Sequence, residues 1–169
     1  MRTAIIAVAA ILIVIEAALL LSPEAEVTGH AVGTTLPASP LSLNGYEQVT
    51  VSVSPSIIYL TAGCRQLAMI TTDFQTFSIQ HGLDKTVDVR PTSHDVMADI
   101  IDSFGGEVQM VRIDLLDGST YYSKLVIRDS GRILALDTRP SDGIAVAVRY
   151  DAPVYIHESI LATQGKDVC

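Results

Sequence analysis

Two short runs in this chain carry residues able to do chemistry, Arg90-Pro91-Thr92-Ser93-His94-Asp95 and Arg139-Pro140-Ser141-Asp142. In each, a strand-like run leads to Arg-Pro, then a hydroxyl residue, then an acid in the first turn of an apolar helix. Proline suits a helix start because its missing N–H had no intrahelical partner anyway. Free amides at a helix start beside an arginine make a ready anion site. Two well-capped helices, whose aspartates only satisfy their own first turns, would give the same pattern. That both motifs carry an arginine favours a surface facing phosphate, with Arg90, Arg139 and Ser141 as its donors.

The surrounding elements read as follows. Val49, Val51 and Val53 alternate with Thr50 and Ser52, a half-buried strand. Ile57 to Leu60 and Leu67 to Ile70 are short apolar runs on either side of a turn at Ala62-Gly63. Asp73 to Gln80 is expected to be a helix, capped by Thr72 or Asp73 and stopped by Gly82. A clearer helix begins at Thr92 or Ser93, gathers Val96, Ile100, Ile101 and Phe104 on one face, and ends at Gly105-Gly106. Val108 to Leu116 and Thr120 to Ile127 flank Asp117-Gly118, a strong hairpin signal. Ile133 to Leu136 is a further strand, Ile144 to Val148 a small-residue helix begun by Ser141, and Val154 to Ile156 a last strand. The expected class is α+β: one sheet-rich domain with about three helices over residues 46–163, followed by a tail over 164–169.

Ahead of this domain, Ala4 to Leu21 is apolar except for Glu16. At about 1.5 Å per residue it reaches about 27 Å, close to a hydrocarbon core of about 30 Å. Residues 1–22 are therefore expected to be a transmembrane anchor. The rival is a cleaved signal peptide, which would release the domain; Ser22-Pro23-Glu24-Ala25 matches a small-x-small site poorly. Arg2 on one flank against Glu24 and Glu26 on the other puts the N-terminus in the cytoplasm and the domain outside. Residues 23–45, with Pro23, Pro37, Pro40, Gly29 and Gly33, read as a flexible spacer.

The net charge is −8, and residues 46–163 hold 9 Lys and Arg against 15 Asp and Glu. Such a balance repels a phosphate backbone at long range and weighs against unassisted, high-affinity nucleic-acid binding. A bound divalent ion reverses that sign locally. Cys64 and Cys169 show no C-x-x-C and no zinc spacing. A buried Cys64 and a frayed terminal thiol is the expected arrangement, with pairing in an oxidising compartment as the alternative.

The two Arg-Pro runs, the Asp117-Gly118 hairpin, the stretch Leu136-Asp137-Thr138-Arg139-Pro140-Ser141-Asp142-Gly143-Ile144-Ala145 and the later Ala152-Pro153-Val154-Tyr155-Ile156 resemble the bifunctional nuclease (DNase/RNase) family. The resemblance covers roughly Val49 to Leu161; the segment around Gly63-Cys64-Arg65-Gln66 departs from the usual bacterial strand and resembles instead a membrane-anchored, archaeal branch. Gly143 stands where the family usually has alanine. The likeness implies hydrolysis of DNA and RNA. Phosphodiester cleavage needs charge stabilisation on the phosphate, an activated water and a stabilised leaving oxygen. Under that reading His94, Asp137 and Asp142 are the candidate catalytic residues, with His94 as general acid or base. Arg90, Arg139 and Ser141 would hold phosphate, and Asp137, Asp142 and Asp95 a Mg²⁺ or Mn²⁺ ion. The bland alternatives stay open: Asp142 as a helix-start acid, Asp137–Arg139 as an ion pair, His94 as a cap. A non-enzymatic, membrane-tethered binding module is the competing function, and a sheet-rich domain of this kind can also pair with itself.

Overall fold

The computed structural model describes residues 39–169. Their elements are β1 (Tyr46–Ser54), β2 (Ile57–Ala62), β3 (Arg65–Ile70), α1 (Asp73–Leu83), α2 (Ser93–Ser103), β4 (Glu107–Asp117), β5 (Thr120–Asp129), β6 (Arg132–Thr138), α3 (Pro140–Arg149), β7 (Val154–His157), α4 (Glu158–Gln164) and β8 (Lys166–Asp167). The strands form one mixed sheet in the order β6-β5-β4-β7-β1-β2-β3-β8. Only β4 and β7 run parallel. β1 joins the two halves, pairing with β7 over Tyr46–Val49 and with β2 over Thr50–Ser54. The β4–β5 hairpin turns where expected, with Gly118 at φ +59 supplying the left-handed backbone that a tight turn requires.

α3 is the centre of the fold. Its residues from Gly143 to Val148 are buried, packed among Val111, Ile113, Leu125 and Ile127 of β4 and β5. Each fully buried Ile or Val there is worth about 1.5–3 kcal/mol relative to leaving it exposed. A Cβ on Gly143 would lie 2.9 Å from Thr138 Oγ1 and 3.2 Å from Val111 Cγ2, so α3 approaches the sheet closely at this turn. Arg139 is the N-cap, Pro140 opens the helix, and no side chain caps it; Ser141 sits one residue inside rather than at the start.

Gly82 does not stop α1, which runs to Leu83. It is instead a contact point: a Cβ there would lie 2.6 Å from Val148 Cγ2. Val96, Ile100 and Phe104 do not face the core but stand exposed on α2. The helix is turned so that His94, Asp95, Met97 and Ile101 point inward, because His94 and Asp95 find buried polar partners described below. The stretch read as a tail carries β8, which pairs with β3, and Cys169 forms a disulfide with Cys64. Cys64 lies exposed in the β2–β3 turn rather than buried. α4 brings the described helices to four.

Within the stretch read as a spacer, residues 39–45 are held to the domain. The buried guanidinium of Arg112 donates to the carbonyls of Pro40 (3.2 Å) and Ser42 (2.8 Å) and stacks over Tyr46 at 4.9 Å. Tyr46 in turn donates to Asp114, and its hydroxyl is pushed up to about 12 by burial and that carboxylate. The proposed membrane span lies outside the described residues; among these, no helix is long and apolar enough to cross a membrane.

Candidate active site

The start of α2 is built on a capping box. Thr92 Oγ1 accepts the amide of Asp95, while Asp95 Oδ2 accepts the Thr92 amide (2.6 Å) and hydroxyl (2.7 Å). The other carboxylate oxygen accepts Arg149 Nε at 2.8 Å. Both side chains of this pair are only 10% exposed. Arg149, at the far end of α3, also donates to the carbonyls of Ser78 and Ala145 and to Ser78 Oγ. Burial alone would raise Asp95, but its bonds from Thr92 and Arg149 outweigh that and hold it below the usual carboxylate range.

This buried platform carries His94 toward a cleft of about 530 Å³ lined by Phe74, Gln75, Ser93, His94, Met97, Asp137, Thr138, Arg139 and Asp142. The lining comes from the first turns of α1, α2 and α3 and the end of β6. Helix starts leave amides without intrahelical partners and carry the positive end of the helix dipole, so three of them raise the potential in one place. Asp142 is the hub. Its Oδ1 accepts Gln75 Nε2 (2.9 Å), His94 Nε2 (3.2 Å) and Arg139 Nη2 (3.1 Å), and its Oδ2 accepts Arg139 Nε (2.6 Å). Burial raises the Asp142 carboxyl, but donors from Arg139, Gln75 and His94 more than offset this and leave it lowered. His94 is lowered chiefly by its own burial, against the opposing pull of Asp142. On its inner side His94 Nδ1 lies 2.8 Å from Ser78 Oγ.

The structure therefore brings His94, Asp137, Arg139 and Asp142 to one cleft. Asp137 is exposed and paired with Lys124 at 3.0 Å. Asp95 is committed to Thr92 and Arg149 beneath the cleft, and Ser141 is buried outside its lining. Arg90 is exposed and does not line it. The two Arg-Pro runs differ in register: Arg139 is itself the N-cap, whereas Arg90 lies two residues before the N-cap Thr92. Asp137, Asp142 and Asp95 do not converge, and among the described residues no three His, Cys, Asp or Glu side chains could together hold a metal ion.

Sequence reasoning missed Gln75, Ser78 and Arg149. Arg149 had a signal, since it follows Asp142 by seven residues and so shares its face of α3. Gln75 and Ser78 looked like ordinary polar helix residues, yet both are buried. Bonding to Asp142 fixes the Gln75 amide and leaves its buried Oε1 with no partner among the described residues.

The family model described as the Bifunctional nuclease domain matches residues 57–168. An uncharacterized protein of Mycobacterium tuberculosis is 37% identical over 76 residues, which is 45% of this chain and 44% of that protein. Bifunctional nuclease 2 of Oryza sativa subsp. japonica is 35% identical over 79 residues, 45% of this chain and 24% of that one. Bifunctional nuclease 2 of Arabidopsis thaliana is 32% identical over 82 residues, 47% and 25% of the two chains. The chain thus spans less than half the length of these relatives. It belongs to the bifunctional nuclease domain family.

Proposed function

We propose that this chain hydrolyses phosphodiester bonds of DNA and RNA, with the scissile phosphate seated where α1, α2 and α3 begin. The supporting observation is the convergence of three helix starts and the Arg139 guanidinium on one open cleft, in a family whose plant members above are named nucleases. Asp142 holds the Nε–Nη2 edge of that guanidinium, so its remaining Nη1 is presented to a phosphate oxygen. Asp137 takes the proton of the attacking water. The P–O bond to the departing sugar oxygen breaks, and that oxygen takes a proton from solvent. His94 stabilises the charge that grows on the phosphate. Among the described residues the carboxylates do not form a metal site by themselves, so no step is routed through Mg²⁺ or Mn²⁺; the acidic surface restricts nucleic-acid contact to this local patch.

The test is cleavage of single- and double-stranded DNA and RNA by the purified full chain, with Mg²⁺, Mn²⁺ or EDTA. Arg139→Ala and Asp137→Ala are expected to lose about 100-fold or more, while Arg90→Ala keeps its activity. Equal cleavage by all variants sinks the site assignment. Binding of nucleic acid with no cleavage favours the non-enzymatic module, for which the acidic balance speaks. We further place the domain outside the cytoplasm, tethered by residues 1–22 as in the membrane-anchored, archaeal branch that the sequence resembles. The Cys64–Cys169 disulfide supports this, because such bonds persist in oxidising compartments. Protection of the domain from protease added to intact cells would contradict it.

A further inference from the structure

The polar atoms behind the cleft leave one consistent placement of protons. Arg149 can only donate, and its Nη2 occupies a lone pair of Ser78 Oγ at 3.2 Å. The Ser78 hydroxyl then has two acceptors within reach, Thr92 Oγ1 at 3.4 Å and His94 Nδ1 at 2.8 Å. Thr92 Oγ1 already accepts from Asp95 N and Arg149 Nη2, whereas Nδ1 has no other partner among the described residues. The Ser78 proton therefore points to Nδ1, which must carry a lone pair. On the opposite edge of the ring, Asp142 Oδ1 is an anion that only accepts, so Nε2 must carry the hydrogen. Other charges facing the ring come from Asp95 on its own helix and Arg149 on α3, while α1 offers only the neutral Gln75 and Ser78.

We infer that Ser78 and Arg149, neither of which lines the cleft, are positioning residues that fix His94 as the neutral Nε2–H tautomer, making it a hydrogen-bond donor to an anion rather than a general acid or base. The inference rests on the cleft being the hydrolytic site. A ring in this state cannot accept a proton at Nε2, and giving that proton away would leave an imidazolate. Its contribution is to turn the Nε2–H from Asp142 toward a phosphate oxygen.

The test is the long-range ¹H–¹⁵N spectrum of the full chain labelled at histidine, with His94 assigned by its loss in His94→Gln. The expected result is a protonated, pyrrole-type Nε2 and a bare, pyridine-type Nδ1. Ser78→Ala should leave Nε2 protonated against Asp142 but remove the donor that keeps Nδ1 bare, so a doubly protonated ring should appear at the same pH, and Ser78→Thr, which keeps the hydroxyl, should abolish it. A protonated Nδ1 in the unaltered chain overturns the inference whether or not nucleic acid is cleaved, and this holds even if the variants fail to fold. In the cleavage assay His94→Gln, whose amide can replace the Nε2–H, should lose no more than about tenfold, against about 100-fold or more for His94→Ala. Equal losses in the two variants overturn the donor role. An inactive purified chain with the expected tautomer overturns the nuclease reading alone.

Discussion

Arg139 and Arg149 stand at opposite ends of α3 and their removal should separate stability from activity. Arg149 and Asp95 are both desolvated, so Arg149→Ala leaves a buried carboxylate unpaired and should cost about 3–5 kcal/mol in urea unfolding. Arg139 is largely exposed, and its pair with Asp142 is a surface pair of about 0–1 kcal/mol, so Arg139→Ala should fold almost normally. Acid should weaken the fold in two pH windows. His94 is lowered from its ordinary 6.5, so the unfolded chain binds the extra proton; the stability it contributes is present above about 6.5 and is lost as pH falls through the folded value. Asp95 is lowered from 3.8 and acts likewise in the more acid window. Urea midpoints measured across pH should show the first window, and His94→Gln should remove it. At this scale His94, Asp142 and Arg139 were legible because their motif was. Arg90 stands outside the cleft because the same two letters, Arg-Pro, sit in different helix registers.

Elements show where pattern reading succeeds and where tertiary contact overrides it. The β4–β5 hairpin followed from an Asp-Gly turn between alternating runs, information that is local. Gly82 looked like a stop because glycine is a poor helix former, yet its role is set by Val148 across an interface that no local pattern encodes. Gly82→Ala forces a buried, stiff side chain to move, and should destabilise by about 1–3 kcal/mol despite the better helix propensity. The apolar stripe of α2 misled in the same way: two polar residues with buried partners outweigh three exposed apolar ones in choosing which face turns inward. β8 and α4 are too short for any period to show, and the disulfide beside them depends on a meeting of residues 105 apart. Closing so long a loop is worth up to about 5 kcal/mol by chain entropy, so reducing agent or Cys169→Ser should lower the melting temperature markedly. An unchanged melting temperature would show that the bond adds nothing.

For the whole molecule, the charge balance and the site pull in different directions. The chain is acidic, and the cleft itself sets the Arg139 guanidinium and three helix starts against the carboxylates of Asp137 and Asp142. Composition weighs against a phosphate ligand, whereas a guanidinium and helix starts gathered in one cleft favour the phosphate proposed there. On the proposed reading, a pocket whose donors are one guanidinium and helix-start amides has little means of telling one phosphate from another. Free inorganic phosphate or sulfate should occupy it and slow cleavage competitively, an effect that raising neutral salt to the same ionic strength would not reproduce. A cut strand that retains a terminal monoester, with more charge than the diester it came from, should leave reluctantly. Turnover would then be governed by departure of product, visible as a rapid first round followed by a slower steady rate.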